Sequence, residues 1–200
     1  MKKLTLILIS TMLLSSMPAL AQEKQESFTV TNYFSERYRD FQGTKISIVP
    51  PDGYFKDTLD IGFVNIKNGS ALRTEERRED VSFVASSFFK NFDTLSHKDS
   101  LGAELHESFN FRINGFQSHL VHLSTIVDGE DYLEWILFIG DKSYTYIVKG
   151  FIPRSKQVEL ELPVRTALLS VFYEPDRRII PAGVDATTTS SSSCSCHSKK

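Results

Sequence analysis

Residues 104–151 constrain the fold of this chain more than any other stretch. They contain four alternating or continuously apolar runs: ELHESFNFRI, FQSHLVHLSTIV, YLEWILFIG and YTYIVKGF. Asn114-Gly115, Asp128-Gly129-Glu130-Asp131 and Gly140-Asp141-Lys142 separate them. Gly, Asn and Asp accept the backbone conformations that hairpin turns require, and β-branched and aromatic residues fill pleated strands. Four consecutive antiparallel strands are expected. With Asn114-Gly115 as a two-residue turn, Glu107 faces His122, Asn110 faces His119 and His106 faces Leu123. With a three-residue turn at 140–142, Phe138 faces Tyr144, Ile136 faces Tyr146 and Trp135 faces Ile147. Both faces of that last hairpin are then apolar, and a sheet apolar on both faces must be covered on both.

Two amphipathic helices are available to cover it. Asp80 can cap a helix over 81–92, where Val81, Val84, Ala85, Phe88 and Phe92 recur at spacings of three and four. After the block, Pro163 suits the first turn of a closing helix with Val164, Ala167, Leu168 and Val171 on one face, and Pro175 stops it. The alternative is an earlier start with a kink at Pro163. Three more strands are expected. One covers 44–50 and ends at Pro50-Pro51-Asp52-Gly53. The others, at 61–67 and 70–77, are joined by Asn68-Gly69 as a two-residue turn. Arg73, Glu75, Glu76 and Arg77 mark the last of these as an edge strand. The expected class is α+β: a central antiparallel sheet of about six to seven strands with a helix on each face, an α/β/α sandwich.

The ends of the chain are of a different character. Met1-Lys2-Lys3, the apolar run at 4–14 and Ala19-Leu20-Ala21 form the pattern of a signal peptide over 1–21. The apolar run is broken by serines and threonine and is short of the ~20 residues a bilayer demands, so no membrane span is expected after cleavage. Export to the periplasm or exterior of a Gram-negative bacterium is the corresponding location. Residues 22–43 form a lead-in that lays Phe28, Tyr33, Phe34, Tyr38 and Phe41 on the core, with room for one helical turn at 35–40, or else serve as a recognition arm. A single domain follows over 44–180. Residues 181–200 form a disordered Ser/Thr-rich tail, too poor in apolar side chains to fold.

Composition narrows the chemistry. The formal net charge of −2 becomes −4 once Lys2 and Lys3 leave with the signal. That acidic, interspersed surface lacks the basic face nucleic-acid binding requires. Cys194 and Cys196 are the only cysteines, so the domain is stabilised by packing alone. With His197 they could bind a soft metal, but neighbouring ligands on a tail are not a preformed site. His119 and His122 are three apart on a strand and point to opposite faces. His106 and His119 share a face but lie ~13 Å apart along it, so no two histidines are expected to meet. Glu107 with His122 is the remaining polar pair, read as a cross-strand charge pair. Asp128, Glu130 and Asp131 lack the full calcium-loop pattern. No nucleophile elbow, zinc-protease motif or phosphate loop is present.

The order of elements resembles the PsbP/Mog1/DcrB-like superfamily. The likeness runs over 44–174: the strand Lys45-Ile46-Ser47-Ile48-Val49-Pro50, a hairpin, the helix at 81–92, the meander with Arg112-Ile113-Asn114-Gly115, the strand at 144–150, and Leu168-Leu169-Ser170-Val171 at the close. The resemblance implies a compact non-enzymatic scaffold used for protein–protein contact, with no catalytic residues to carry over. The long tail departs from that core, and the acidic surface does not match basic docking residues. The resulting expectation is an exported, non-catalytic binding or accessory protein with a protein partner and no cofactor. A periplasmic carrier of an apolar ligand, with an aromatic cavity between sheet and helix, is the alternative, and an unrecognised hydrolase is the third.

Overall fold

A computed structural model of the chain describes residues 28–57, 62–96, 103–127 and 129–179. Residues 1–21, expected as a signal peptide, the tail with Cys194, Cys196 and His197, and Asp128 lie outside the described residues. The fold is mixed α+β, with a large sheet, a small sheet and two helices among the described residues. In chain order the elements are β1 (Thr29–Val30), β2 (Arg39–Asp40), β3 (Ile46–Ile48), β4 (Phe55–Asp57), β5 (Gly62–Asn65), β6 (Ser70–Arg77), α1 (Val81–Ser96), β7 (Glu104–Ile113), β8 (Phe116–Val127), β9 (Glu130–Gly140), β10 (Thr145–Pro153), α2 (Gln157–Leu169) and β11 (Phe172–Tyr173). The large sheet has eight strands in the order β1-β7-β8-β9-β10-β6-β5-β4, one more than the upper expectation. The small sheet is β11-β3-β2.

The central meander follows from its turns. Asn114 (φ 49°) and Gly115 (φ 86°) are both left-handed and pair Ile113 with Phe116, the two-residue turn whose twist matches the strands it joins. The hairpin from β9 to β10 differs from expectation. Thr145 pairs with Gly140 and Ile147 with Phe138, because the loop holds four residues, 141–144. Asp141 sets that length. Its Oδ1 accepts the N–H groups of Ser143 (2.7 Å) and Tyr144 (3.0 Å) and closes a side-chain turn over the extra residue. The 65–70 hairpin is also longer than expected. Asn65 pairs with Ser70 around four residues, and the Asn65 carbonyl accepts the Gly69 N–H at 2.9 Å.

Strand β6 is not an edge. It lies between β10 and β5 despite its charges. The strand expected at 44–50 shortens to β3 and joins the small sheet with all three residues buried. The lead-in contributes β1, parallel to β7, and β2. Only part of its aromatic set reaches the core: Phe41 is buried and Phe28 stacks on Phe111 at 4.7 Å, whereas Tyr33 and Phe34 are exposed.

Alternate residues of β9 divide between two hydrophobic clusters. Trp135, Leu137 and Ile139 join Leu120, Tyr146, Val148 and the α2 residues Leu160, Val164 and Leu168. Ile136 and Phe138 join Val121, Leu123, Ile147 and the α1 residues Val81, Val84 and Ala85. Each fully buried aliphatic side chain adds about 1.5–3 kcal/mol. The start of α1 is capped by Asp80, whose Oδ1 accepts the Ser82 N–H at 2.8 Å. Helix α2 begins at Gln157, ahead of the expected start, so Pro163 stands inside it. Gly150 of β10 lets that helix sit close, since a Cβ there would lie 2.4 Å from Val164 Cγ1.

A polar network fastens the small sheet to the large one. Tyr146 Oη donates to Glu76 (2.8 Å) and accepts from the Lys45 N–H (3.3 Å), while Tyr173 Oη donates to Asp141 Oδ2 (2.7 Å). Burial, then the neighbouring carboxylates, push both phenols well above their ordinary range. Burial alone would raise Asp141. The hydrogen bonds from Ser143, Tyr173 and Tyr144 and the charge of Lys45 outweigh it and hold Asp141 below the usual carboxylate range.

Candidate interaction surface

The sequence-predicted polar pair sits at the α2 side of the meander. Glu107 is in register with His122, and its Oε1 lies 3.6 Å from His122 Nδ1. That is beyond good hydrogen-bond length, and the pair is ionic only when His122 is protonated. His122 is buried and stacks flat on Trp135, with centroids 4.2 Å apart and planes 2° from parallel. Above Trp135, the Arg165 guanidinium of α2 lies 5.2 Å from the ring centroid. The histidines do meet, contrary to expectation: the His106 ring is 5.0 Å from that of His122. A β-bulge between Leu105 and Glu107 is the cause. It leaves His106 without a cross-strand partner and breaks the alternation that would have set it opposite Leu123.

This cluster has limited chemical capacity. His122 Nε2 and Trp135 Nε1 are buried with no hydrogen-bond partner. Burial, the first cause, holds His122 below its ordinary range; His106 and Arg154 act the same way, against Glu161 and Glu107. Among the described residues no three His, Cys, Asp or Glu side chains are placed to hold a metal ion. His119 pairs with Asn110, and its ring contacts Gln117 at 3.2 Å.

A larger concavity lies where α2 meets the loop after β3. Pro50-Pro51-Asp52-Gly53 builds one wall. The Tyr54 N–H bonds back to the Pro51 carbonyl at 3.3 Å, and Gly53 supplies the left-handed φ of 80° that this turn demands. Tyr54 Oη is tied to Ser70 Oγ at 2.5 Å, and the Val49 N–H to Ser170 Oγ at 2.9 Å, so the wall is anchored at both ends. The other wall is α2. Its buried residues Leu160, Val164, Ala167 and Leu168 seat one side on the sheet, and Val158 (102% exposed) and Leu162 (72%) project to solvent. The groove between the walls holds about 650 Å³; Val49, Pro50, Pro51, Leu160, Leu162 and Pro163 are among its apolar lining, and Arg37, Asp52, Asn65, Asn68, Glu159, Thr166 and Ser170 are its polar members. Pro163 has no N–H, so the Glu159 carbonyl lacks its helical donor, and both residues line the groove. On the far side of the same loop a second hollow of about 570 Å³ shares Arg37, Pro50 and Tyr54 and adds Arg39, Phe55 and Lys56.

Sequence reasoning identified the loop and the helix but not the groove, which forms only when α2 starts before Pro163. The signal available was Val158 and Leu162, apolar residues off the buried stripe. Cys194, Cys196 and His197 lie outside the described residues. No helix among the described residues is long and apolar enough to cross a membrane.

No protein-family model matches the chain, and no curated protein matches its sequence. Solved structures of similar fold include PA94, a Pseudomonas aeruginosa protein of unknown function, at 14% identity and TM-score 0.46, covering 71% of this chain and 90% of that one. LpqN, involved in cell envelope biogenesis of Mycobacterium tuberculosis, matches at 10% identity and TM-score 0.48, over 65% of this chain and 83% of its own. Cyanobacterial PsbP (CyanoP) from Synechocystis sp. PCC 6803 matches at 11% identity and TM-score 0.48, over 70% of this chain and 95% of its own.

Proposed function

We propose that the protein is an exported, non-catalytic binding or accessory protein that works through protein–protein contact, and that the groove beside α2 is its contact surface. The observation carrying this reading is an anchored, mostly apolar groove with Val158 and Leu162 exposed on the adjoining helix. Exposed apolar surface rimmed by polar groups marks interaction sites. Arg37, Asp52, Glu159 and the Glu159 carbonyl that Pro163 leaves without a helical donor would orient a partner, and the apolar walls would supply contact area. In this reading the two hydrophobic clusters are the two interlayer cores of an α/β/α sandwich over 44–180, with residues 1–21 removed on export.

The test is affinity capture from the exporting cell with the wild-type chain, with Leu162→Asp and with Phe83→Ser. Phe83 is 60% exposed on α1, away from the groove. The expected result is a specific protein retained by wild type and Phe83→Ser and lost with Leu162→Asp. Retention by Leu162→Asp would place the contact elsewhere. A purified chain carrying stoichiometric lipid and no protein would favour the carrier reading instead.

A further inference from the structure

A separate hollow of about 390 Å³ opens between α1 and strands β8–β10. Its size is that of a small-molecule site. Phe88 and Phe92 of α1, Leu123 and Ile136 line it, Glu134 reaches it from β9, and Lys149 of β10 stands in the same wall. Glu134 is only 9% exposed. Its cross-strand partners, Leu123 and Phe151, are both apolar. Among the described residues its carboxylate has no hydrogen bond or close ion pair, and Lys149 acts on it only through its charge. That pull is too weak to offset burial, which lifts Glu134 above the ordinary carboxylate range. A buried carboxylate without a full counter-charge is costly, and here it adjoins open space rather than packed side chains.

Aromatic rings in the wall also offer faces that attract cations. We propose that this hollow binds a small organic cation, an ammonium group on an apolar body, with Glu134 as its counter-charge. The apolar body packs on Phe92, Leu123 and Ile136. An anionic ligand of the same shape would set its charge beside a carboxylate that is already poorly solvated. This inference is independent of the groove beside α2.

Titration calorimetry tests it with 2-phenylethylamine and benzyltrimethylammonium, against 3-phenylpropionate as a probe of similar body and opposite charge. The two cations should bind, and the carboxylate at least about tenfold more weakly. Glu134→Gln keeps the shape, removes the charge and suits burial, so it should fold and lose at least about tenfold in cation affinity. Lys149→Gln removes the competing cation and should tighten binding. Sedimentation with phosphatidylethanolamine vesicles would assign the ammonium to a lipid headgroup, and amine binding without sedimentation would assign it to a free amine. Equal affinity for amine and carboxylate, an unaltered Glu134→Gln variant, or no binding of any probe at millimolar concentration would overturn the proposal.

Discussion

Gly150→Ala is the sharpest test of how α2 is seated. A Cβ at this position would lie 2.4 Å from Val164 Cγ1, 3.4 Å from Leu72 Cδ2 and 3.7 Å from Leu168 Cδ1. The last two are close to ordinary contact; the first is more than about 1 Å short of it. Val164 is completely buried and belongs to a helix, so its side chain has neither free space nor an easy second rotamer. Overpacking of this kind costs about 1–3 kcal/mol. Replacing Gly by Ala returns about 0.4–1 kcal/mol through the unfolded chain, leaving a net loss of about 1–2 kcal/mol. For a domain of this size that is a fall of roughly 2–8 °C in Tm. Val164→Ala alone should cost about 2 kcal/mol through lost burial and a residual cavity. Because the contacting methyl is then gone, the double variant should be more stable than the two losses predict by about 1 kcal/mol. Urea unfolding followed by circular dichroism reads all four corners of this cycle. Additivity within error, or a Gly150→Ala variant as stable as wild type, would refute the close seating. Because α2 forms one wall of the groove, Gly150→Ala should also weaken partner capture without touching any groove residue.

Three further outcomes follow from buried titratable groups. Tyr173→Phe removes a hydrogen bond to a charged carboxylate and should cost about 1–2 kcal/mol at neutral pH. Asp141 lies below its ordinary range in the fold, so its contribution is present above the unfolded carboxylate range and lost as pH falls through the folded value; Tyr173→Phe should flatten that acid limb in urea midpoints. His122 is also lowered, chiefly by burial and against the charges of Glu161 and Glu107. Its neutral form favours folding above its unfolded value of 6.5, and that stability declines as pH falls from there toward the folded value. His122→Phe keeps a ring on Trp135 and should abolish this segment of the pH profile; an unchanged profile would show that another group produces it. Glu134 is raised, so it weakens the fold as pH rises past the ordinary carboxylate range, and Glu134→Gln should melt higher than wild type near pH 7 and at the same temperature in acid.

Much of the meander was legible because hairpin chemistry is local. Asn114-Gly115 can adopt the doubly left-handed turn, and once it does, Glu107 must meet His122. The second turn was misread for an equally local reason. Gly140-Asp141-Lys142 has the composition of a short loop, but Asp141 bonds forward to Ser143 and Tyr144 and draws Tyr144 into the turn. Every pairing between β9 and β10 moves with it. The division of β9 between two clusters survives that error, because alternation belongs to a strand by itself and not to its register with a neighbour. The charges of β6 misled in another way. Arg73, Glu75 and Arg77 suggested an edge, yet the strand is paired on both sides, with β10 and with β5.

The sites were harder to read than the strands because each depends on one departure from regularity. One extra residue at the β7 bulge is enough to bring His106 to His122, and nothing in His106-Glu107-Ser108 announces it. Glu134 is the opposite case, a departure visible all along. In Tyr132-Leu133-Glu134-Trp135-Ile136-Leu137 it is the one charge inside a strand that is apolar on both faces. Its neighbours across the sheet are Leu123 and Phe151, and Lys149 of β10 acts on it only through its charge. Regular pairing accounts for Trp135, Ile136 and Leu137, and it leaves Glu134 unexplained. A carboxylate there costs stability at neutral pH, whereas glutamine or leucine would not. If Glu134→Gln proves more stable and still folds identically, the acid serves the hollow beside α1 rather than the fold.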